Sequence, residues 1–493
     1  MMLKAGLWAF AGKGGHQVVN FALVIILARL LTPEAFGIVA AAQVVLVLSQ
    51  VVVQFGLGAA LIQTDRLTRS MERTALTLML GMALVMAGVI HLATPWLARL
   101  MTIPELVEVM PVMLLTFLLS AVTNPGMSLL MRDMRFKLLA AIDVGTFALL
   151  HAVIAVGLAL AGWSYWAIIL ATLASTAAKA FIVWYLRPVW PILRMHREEV
   201  RGLLGFGSGV FLTQMGFALA QRVDNVVVAN AFGAAALGLY SRAFNILDLA
   251  NSLLGRAFRA VLFAGFSSKR RVGSSSKKAM QPVFLRAHAF AAFLILPISA
   301  ASIVLAPELV MILLGSQWTQ AVPILQVLAI GMYFRLGYKV SQAFNLSEGK
   351  VFASAWRSLL YAVLVGVLAT SGSRFGLVGV GVGVLMALTI VFTLLTQLSL
   401  SVLQMSAIRL FAALSPFAAM GGISGAVAWQ LAETMRGAET NGVLVVGVTV
   451  VVMAALYLLP LWLLRRLPII HELLEAARSL RRVMGNRIEE QSN

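Results

Sequence analysis

The stretch Ala28–Gly58, ARLLTPEAFGIVAAAQVVLVLSQVVVQFGLG, decides the fold. From Phe36 to Gly58 it contains no Asp, Glu, Lys or Arg. A transmembrane α-helix needs about 20 consecutive apolar residues to cross the hydrocarbon of a bilayer, and this run is long enough. Runs of the same kind recur along the whole chain. They predict 14 spans, at about 6–31, 36–58, 75–98, 108–130, 138–161, 164–186, 204–229, 237–262, 283–304, 321–346, 353–371, 376–399, 408–431 and 442–464. The composition agrees: 61% of the 493 residues are hydrophobic and 12% are charged, against about 25% charged in an ordinary soluble domain. The 40 glycines and the scarcity of strand-type alternation exclude an outer-membrane barrel. The first run is too long for the apolar region of a cleavable signal peptide and lacks a small-residue cleavage site. The reading is an all-α polytopic membrane protein.

An even number of spans puts both termini on one side of the membrane, and the loop charges say which. Loops on the terminal side carry 24 Lys and Arg, and the opposite loops carry three: Arg99, Arg374 and Arg436. Cytoplasmic loops retain Lys and Arg, so both termini are expected on the cytoplasmic side of the membrane. The net charge of +19, which in a soluble chain would point to nucleic acid, is read here as that topology signal. The segment Lys269–Lys278 (KRRVGSSSKK) reads as a flexible charged linker. In the tail, 465–493, apolar Ile470, Leu473, Leu474, Ala477 and Leu480 oppose Arg478, Arg481 and Arg482. That pattern fits either an interfacial helix on anionic lipid or a solvated basic tail.

The quoted stretch has a second copy. Leu31-Thr-Pro-Glu-Ala-Phe-Gly37-Ile-Val39 is echoed by Phe232-Gly-Ala-Ala-Ala-Leu-Gly238-Leu-Tyr240 six spans later. Ala93-Thr-Pro-Trp-Leu97 is echoed by Ala306-Pro-Glu-Leu309. Six spans is an even number, so the two copies share an orientation, as in parallel-repeat transporters. The expected organisation is an N-terminal lobe of spans 1–6 (residues 1–200), a C-terminal lobe of spans 7–12 (201–400), two appended spans (401–464) and a cytoplasmic basic tail (465–493).

Enzyme signals are missing. There is no cysteine, which rules out thiolate catalysis and Cys-based metal sites. The six histidines have no metal-ligand spacing, and no Ser/His/Asp grouping can be argued. Gly6–Lys13 has five residues between its glycines and is followed by Gly14, so it is not a phosphate loop. Gly379-Val-Gly-Val-Gly383 lies inside an apolar span and reads as a close helix-packing surface. No catalytic residue, metal or cofactor is expected.

The residues that carry a family resemblance are Ala28-Arg29-Leu-Leu-Thr-Pro-Glu-Ala-Phe-Gly37, Asn124-Pro125, Leu130-Met-Arg-Asp-Met-Arg-Phe-Lys137, Arg222-Val-Asp-Asn225, Ala236-Leu-Gly-Leu-Tyr-Ser-Arg242, Leu314-Gly-Ser-Gln-Trp318 and Ala321-Val-Pro-Ile-Leu-Gln326. In this order over roughly residues 5–430, the chain resembles bacterial polysaccharide-repeat (O-antigen/exopolysaccharide) flippases of the multidrug/oligosaccharidyl-lipid/polysaccharide exporter superfamily. The resemblance implies two six-helix lobes around a central cavity and an undecaprenyl-diphosphate-linked oligosaccharide as cargo. It also implies membrane lipids, a polysaccharide polymerase and chain-length machinery as partners. A lipid II-type flippase and a small-molecule antiporter of the same superfamily are rivals. An antiporter would be expected to place carboxylates in its spans. A membrane-embedded polymerase or glycosyltransferase would need a large external loop, and none is present in the sequence.

Against that background the intramembrane charges matter. Eleven Lys and Arg fall within the spans, against Asp143, Asp224 and Asp248. Each charge is expensive at the bilayer centre, at least ~2.5 kcal/mol. Lys13 shares a polar stretch with His16, Gln17 and Asn20, and Lys179 is flanked by alanines. Arg335 and Lys339, at i and i+4, share one helix face. Together with Arg256, Arg259, Arg286 and Arg357, these are the expected lining of a cationic cavity for a diphosphate. Snorkelling, or pairing with Asp and backbone carbonyls, is the alternative for all of these cations. Asp143 and Asp248 are candidates for ion coupling, with pairing to a nearby Arg as the alternative. Arg222 and Asp224 are read as structural or gating residues. Arg29 and Arg242 are likewise structural or gating residues, read as anchors at the outer interface or as groups that receive the cargo at release.

Overall fold

The structure is a computed structural model; it describes residues 15, 17, 19–64, 67–192, 197–271 and 277–463. All its regular elements are helical. In chain order they are α1 (Val19–Leu30), α2 (Pro33–Gln54), α3 (Leu57–Gln63), α4 (Arg69–Leu100), α5 (Leu106–Arg132), α6 (Phe136–Val144), a π-helical segment (Gly145–His151), α7 (Ala152–Leu160) and α8 (Ser164–Leu186). Then come α9 (Arg197–Ala220), α10 (Val223–Arg271), α11 (Lys277–Val304), α12 (Ala306–Leu313), a 3-10 turn (Ser316–Ala321), α13 (Val322–Ile330), α14 (Met332–Ser347), α15 (Val351–Ser373), α16 (Gly376–Leu403), α17 (Ala407–Gly437) and α18 (Gly442–Leu463). Among the described residues, twelve helical stretches are long and apolar enough to cross a membrane. The shortest, Gly442–Leu459, has 18 residues, or about 27 Å at 1.5 Å per residue, close to the hydrocarbon thickness. Large apolar side chains such as Leu92, Phe352 and Phe375 point outward almost fully exposed, as lipid-facing residues do. The chain is a multi-pass membrane protein.

Two expectations change in the fold. The stretches 204–229 and 237–262 are joined without a loop: two helices meet at a kink on one non-helical residue, Gly233 (φ 76°, ψ −167°), within α10. The helix also breaks at 221–222, inside the first stretch. A positive φ is open to glycine at no steric cost, so one residue does the work expected of a loop. The charged segment 269–278 is also not all linker: helix reaches Arg271 and resumes at Lys277, with 272–276 outside the described residues. Lys13 and the tail 465–493 lie outside the described residues.

Residues 1–245, 313–321 and 358–384 form one compact unit. It is built by local rules at its helix ends. Thr32 caps α2, its Oγ1 accepting from the Ala35 amide at 3.3 Å, with Pro33 in the first turn. Helix α3 ends without such a cap, and Arg132 of α5 supplies one. Its Nη1 donates to the carbonyls of Leu61, Ile62 and Thr64 at 2.9, 3.1 and 2.6 Å, groups that a helix C-terminus leaves unpaired. At the α1–α2 junction, Gln317 Nε2 donates to Ala28 O (2.7 Å) and Leu31 O (3.1 Å), and Trp318 Nε1 donates to Ala28 O (2.8 Å). These bonds explain why 313–321 belongs to this unit.

The repeated glycines meet each other in the same unit. A Cβ on Gly37 would lie 1.7 Å from Ala234 O, and one on Gly238 would lie 1.8 Å from Pro33 O. The offset of 201 residues that carries Gly37 onto Gly238 also carries Pro33 onto Ala234, so it exchanges the two contacts. Glycine is required at both positions because backbone touches backbone. The GVGVG stretch behaves similarly: Gly379 and Gly383 approach the carbonyls of Gly372 and Leu368, leaving no room for a Cβ.

Residues 246–312, 322–357 and 385–493 form the second unit. Helix α11 packs against α13, α14 and α17, and α17 against α18. At its centre His288 is fully buried and held on both sides: Nδ1 is 3.2 Å from Tyr333 Oη and Nε2 is 3.2 Å from Ser341 Oγ. Ser341 Oγ continues to Thr396 Oγ1 at 2.9 Å, and Ser399 Oγ donates to Asn345 Oδ1 at 3.0 Å. In an apolar span every such group needs a partner. Glu308, from the Ala306-Pro-Glu-Leu309 motif, is buried and takes a two-pronged bond from Arg436, at 2.7 Å from Nε and 2.9 Å from Nη2.

Candidate substrate cavity

A cavity of about 390 Å3 opens within the first unit, a size typical of small-ligand sites. Six elements line it. Helix α1 contributes Asn20, and α2 contributes Phe36 and Gln43. Asp143 comes from α6, and Thr146, Phe147 and His151 from the π-helical segment. Helix α8 adds Thr172, Ser175, Thr176 and Lys179, and α10 adds Arg242 and Asn245. Leu23, Leu27 and Ile168 supply an apolar wall. Amides, hydroxyls and both signs of charge converge inside a lipid-facing bundle, where polar groups are expensive unless they serve a purpose.

The charges are arranged in two ways. Lys179 Nζ sits 2.6 Å from Asp143 Oδ1, and both side chains remain about one-third exposed. Lysine and aspartate are thus a cavity-facing ion pair rather than two separate sites. Arg242 has no carboxylate among its described hydrogen bonds and ion pairs. Its guanidinium lies over the Phe36 ring, 4.6 Å from the centroid, within cation–π range. Its Nε is buried and makes no hydrogen bond with the protein. Phe36 is held edge-on by Trp318 at 5.5 Å, so the bonds from Trp318 to α1 also position the ring under Arg242. Phe147 and His151, also on the cavity wall, stack at 4.8 Å with an 11° interplanar angle. His151 Nδ1 lies 3.4 Å from Ser175 Oγ. The π-helical segment explains the geometry: widening the helix by a residue per turn shifts which side chains face the cavity, and such segments recur at functional sites.

The other expected residues are distributed as follows. Arg335 and Lys339 are half-buried on α14 in the second unit, on one face as their spacing requires. Arg286 is exposed on α11, and Asp248 is half-buried on α10. Arg357 donates to Ala353 O at 2.6 Å and lies 5.0 Å from the Trp356 ring centroid. Asp224 is buried and accepts from Tyr240 Oη at 2.9 Å. Arg222 is half-buried at the break before α10, and Arg29 is exposed near the end of α1. The side chains of Arg256 and Arg259, and all of Lys13, lie outside the described residues. The cavity therefore gathers Lys179, Asp143 and Arg242. Arg242, read from sequence as an interfacial anchor or a group that receives the cargo at release, lines the cavity. His151, Phe36, Gln43 and Asn245 were not singled out by sequence; the polar residues Gln43 and Asn245 inside apolar runs are the signal that would have marked them.

A family model described as "Polysaccharide biosynthesis protein" matches residues 26–323, which is more than half of the chain. The chain belongs to the polysaccharide biosynthesis protein family. Every described residue of the cavity but Asn20, Leu23 and Val24 lies inside the matched span. Among relatives of this family member, the succinoglycan biosynthesis transport protein ExoT of Rhizobium meliloti is 28% identical over 66% of this chain and 64% of its own length. The chain thus spans just under two thirds of that relative. The teichuronic acid biosynthesis protein TuaB of Bacillus subtilis is 24% identical over 72% of this chain and 74% of its own. Among solved structures, the lipid II flippase MurJ in an inward closed conformation superposes with a TM-score of 0.75. That match covers 94% of this chain and 99% of the flippase at 12% identity, and it establishes a shared fold.

Proposed function

We propose that this chain is a flippase that moves lipid-diphosphate-linked oligosaccharide repeat units across the bacterial cytoplasmic membrane for exopolysaccharide or lipopolysaccharide assembly. The observation that carries the reading is the cavity of the first unit, where Lys179 and Arg242 present positive charge among amides and hydroxyls, in a chain of the polysaccharide biosynthesis family. A diphosphate cannot cross hydrocarbon unaided. Cations inside a low-dielectric wall focus a positive potential on it, while amides and hydroxyls suit a sugar head. The lipid tail stays in the bilayer as the head passes. In this reading the chain has 14 spans, with both termini cytoplasmic. Two six-span lobes, 1–200 and 201–400, alternate access by rocking, and spans 13 and 14 are appended. Lys13, Arg256, Arg259, Arg286, Arg335 and Lys339 are the further cations assigned to the cargo's diphosphate, and Asp143 and Asp248 are candidates for ion coupling. A polymerase and chain-length proteins act on the product outside.

The transport names of ExoT and the likeness in fold to a lipid II flippase both support this reading. The test is a host strain lacking the chain. Lipid-linked repeat units should accumulate in the cytoplasmic leaflet while surface polysaccharide falls. Lost peptidoglycan synthesis with intact surface polysaccharide would assign the chain to lipid II instead.

A further inference from the structure

We propose that the ends of α4 and α8 bind the phosphate of an anionic phospholipid, with Arg187 as its principal donor and Arg73 beside it. The site is separate from the cavity, since none of its residues lines that space.

The order of residues sets its depth. Helix α8 ends on Phe181, Trp184, Tyr185 and Arg187. Phe181 is 67% exposed and Tyr185 75%, so this face of α8 meets lipid. Apolar rings sit in hydrocarbon, Trp and Tyr sit at the headgroup boundary, and an arginine reaches past them to water and phosphate. Pro188 cannot continue the helix. The loop charges assign this end to the cytoplasmic side.

The segment after α8 is laid along the start of α4. Val189 is buried against Leu76 and Leu129, and the Ile192 amide donates to Thr77 Oγ1 at 2.8 Å. Arg73 Nε donates to Trp190 O at 3.3 Å. These contacts set Trp190 edge-on to Trp184, with centroids 5.3 Å apart and an 82° interplanar angle. Two interfacial indoles thus stand beside two arginines.

Both arginines keep donors for a ligand. The Arg187 side chain is 42% exposed, and its Nη2 lies 3.6 Å from Glu72 Oε1, beyond hydrogen-bond length. Its Nε is enclosed without a partner, so the reachable donors are those at the Nη end. Arg73 is exposed and commits only Nε. Arg69, one turn earlier on the same face of α4, is exposed as well. Two carboxylates face these residues. Glu72 lies beside Arg187, and Glu199 accepts from Ser70 and Thr74 at 3.0 and 2.9 Å. Three arginines around one uncommitted carboxylate leave the patch positive. A planar guanidinium takes two phosphate oxygens at once, while the acyl chains lie along the exposed face of α8. A zwitterionic lipid offers the same phosphate but brings an ammonium against the arginines. Because the site pins the segment that follows α8, a bound lipid stabilises the folded chain by mass action.

The test uses the full-length protein. Native mass spectrometry in detergent reads binding of added phosphatidylglycerol, and thermal midpoints are compared in phosphatidylcholine nanodiscs with and without phosphatidylglycerol. Wild type should bind phosphatidylglycerol more tightly than phosphatidylcholine and melt higher in the anionic nanodiscs. Arg187→Gln should weaken phosphatidylglycerol binding roughly fivefold or more and lose most of the rise in midpoint. Arg187→Lys keeps the charge without the fork and should fall between. Arg73→Gln should weaken binding in the same direction, so the outcome does not hang on one variant. Arg135→Gln removes an exposed cation outside the patch, from a loop assigned to the same side, and should change nothing. Equal losses from Arg135→Gln and Arg187→Gln would reduce the effect to diffuse surface charge and overturn the site. Wild-type binding by Arg187→Gln and Arg73→Gln would overturn it too. Displacement of phosphatidylglycerol by equimolar undecaprenyl phosphate would make this a site for the cargo's lipid and overturn the assignment to phospholipid.

Discussion

Two residues, Gly37 and Lys339, carry predictions of different kinds. Gly37 is fixed by space: its hydrogen faces Ala234 O, and a methyl group there would lie 1.7 Å from that oxygen. The neighbour is backbone, so no rotamer change relieves the clash, and overpacking of this kind is destabilising by about 1–3 kcal/mol or more. Gly37→Ala should lower the thermal midpoint in detergent and reduce membrane abundance. Gly88→Ala, where nothing lies within 4 Å, should do neither. A midpoint for Gly37→Ala equal to that of Gly88→Ala would refute the close contact. Lys339 is fixed by charge. It lies on α14 one turn from Arg335, half-buried. If its partner is the cargo diphosphate, removing the ammonium forfeits a charge-assisted bond of roughly 1.5–3 kcal/mol, about tenfold or more in occupancy. Lys339→Ala should therefore depress polysaccharide export at unchanged abundance, and Lys339→Arg should retain more. Loss of the protein from the membrane in both variants would make the lysine structural.

Among the elements, the 3-10 turn Ser316–Ala321 does the most with the fewest residues. Trp318 and Gln317 both donate to Ala28 O, and Trp318 also braces Phe36 under Arg242. Trp318→Phe keeps the ring and loses one donor, while Gln317→Leu loses the other. Because Ala28 O retains one partner in each single variant, each should cost about 1 kcal/mol. The double variant strands the carbonyl and should cost more than their sum, as a double-mutant cycle on thermal stability would show. Strict additivity would mean that the two donors do not share an acceptor. The sequence displayed the elements unevenly. Apolar runs announce α2, α4, α5, α8, α11 and α13 to α18 because lipid demands about 20 apolar residues whatever the partners. Thr32 and Pro33 mark where α2 begins. The break at Gly233 falls between two expected spans, whereas the sequence conceals the break at 221–222 inside the first of them. The sequence also conceals the π-helical segment, whose Gly145–His151 stretch has no composition that departs from α-helix.

In the whole molecule, the cavity was legible as a class of site and not as a site. A surplus of cations within the spans required a polar interior, and Asn20 and Lys179 were named for it. The pairing of Lys179 with Asp143 joins residues 36 apart, and the arrival of Arg242 beside them depends on how α2 and α10 meet at Gly37 and Gly238. Spacing along one helix carries no information on either. The glycine contacts could be recognised only as a repeat until the backbone showed that they exchange under the 201-residue offset. Topology belongs to this scale as well. The asymmetry of 24 loop cations against three predicts that a reporter fused after Asn493 stays in the cytoplasm. Periplasmic activity of that fusion would reverse the orientation of every loop.

The central claim, that cavity cations in the first unit receive the anionic head of a lipid-linked oligosaccharide, is tested most directly by surface polysaccharide in a strain whose only copy of the chain carries Lys179→Ala or Lys179→Arg, with membrane abundance matched to wild type. The account predicts that Lys179→Ala lowers export about tenfold or more and accumulates lipid-linked repeat units inside, because Asp143 is left unpaired in the cavity and the ammonium is gone. Lys179→Arg should retain much of the export, since charge is kept though geometry changes. Wild-type export by Lys179→Ala at wild-type abundance would contradict the account.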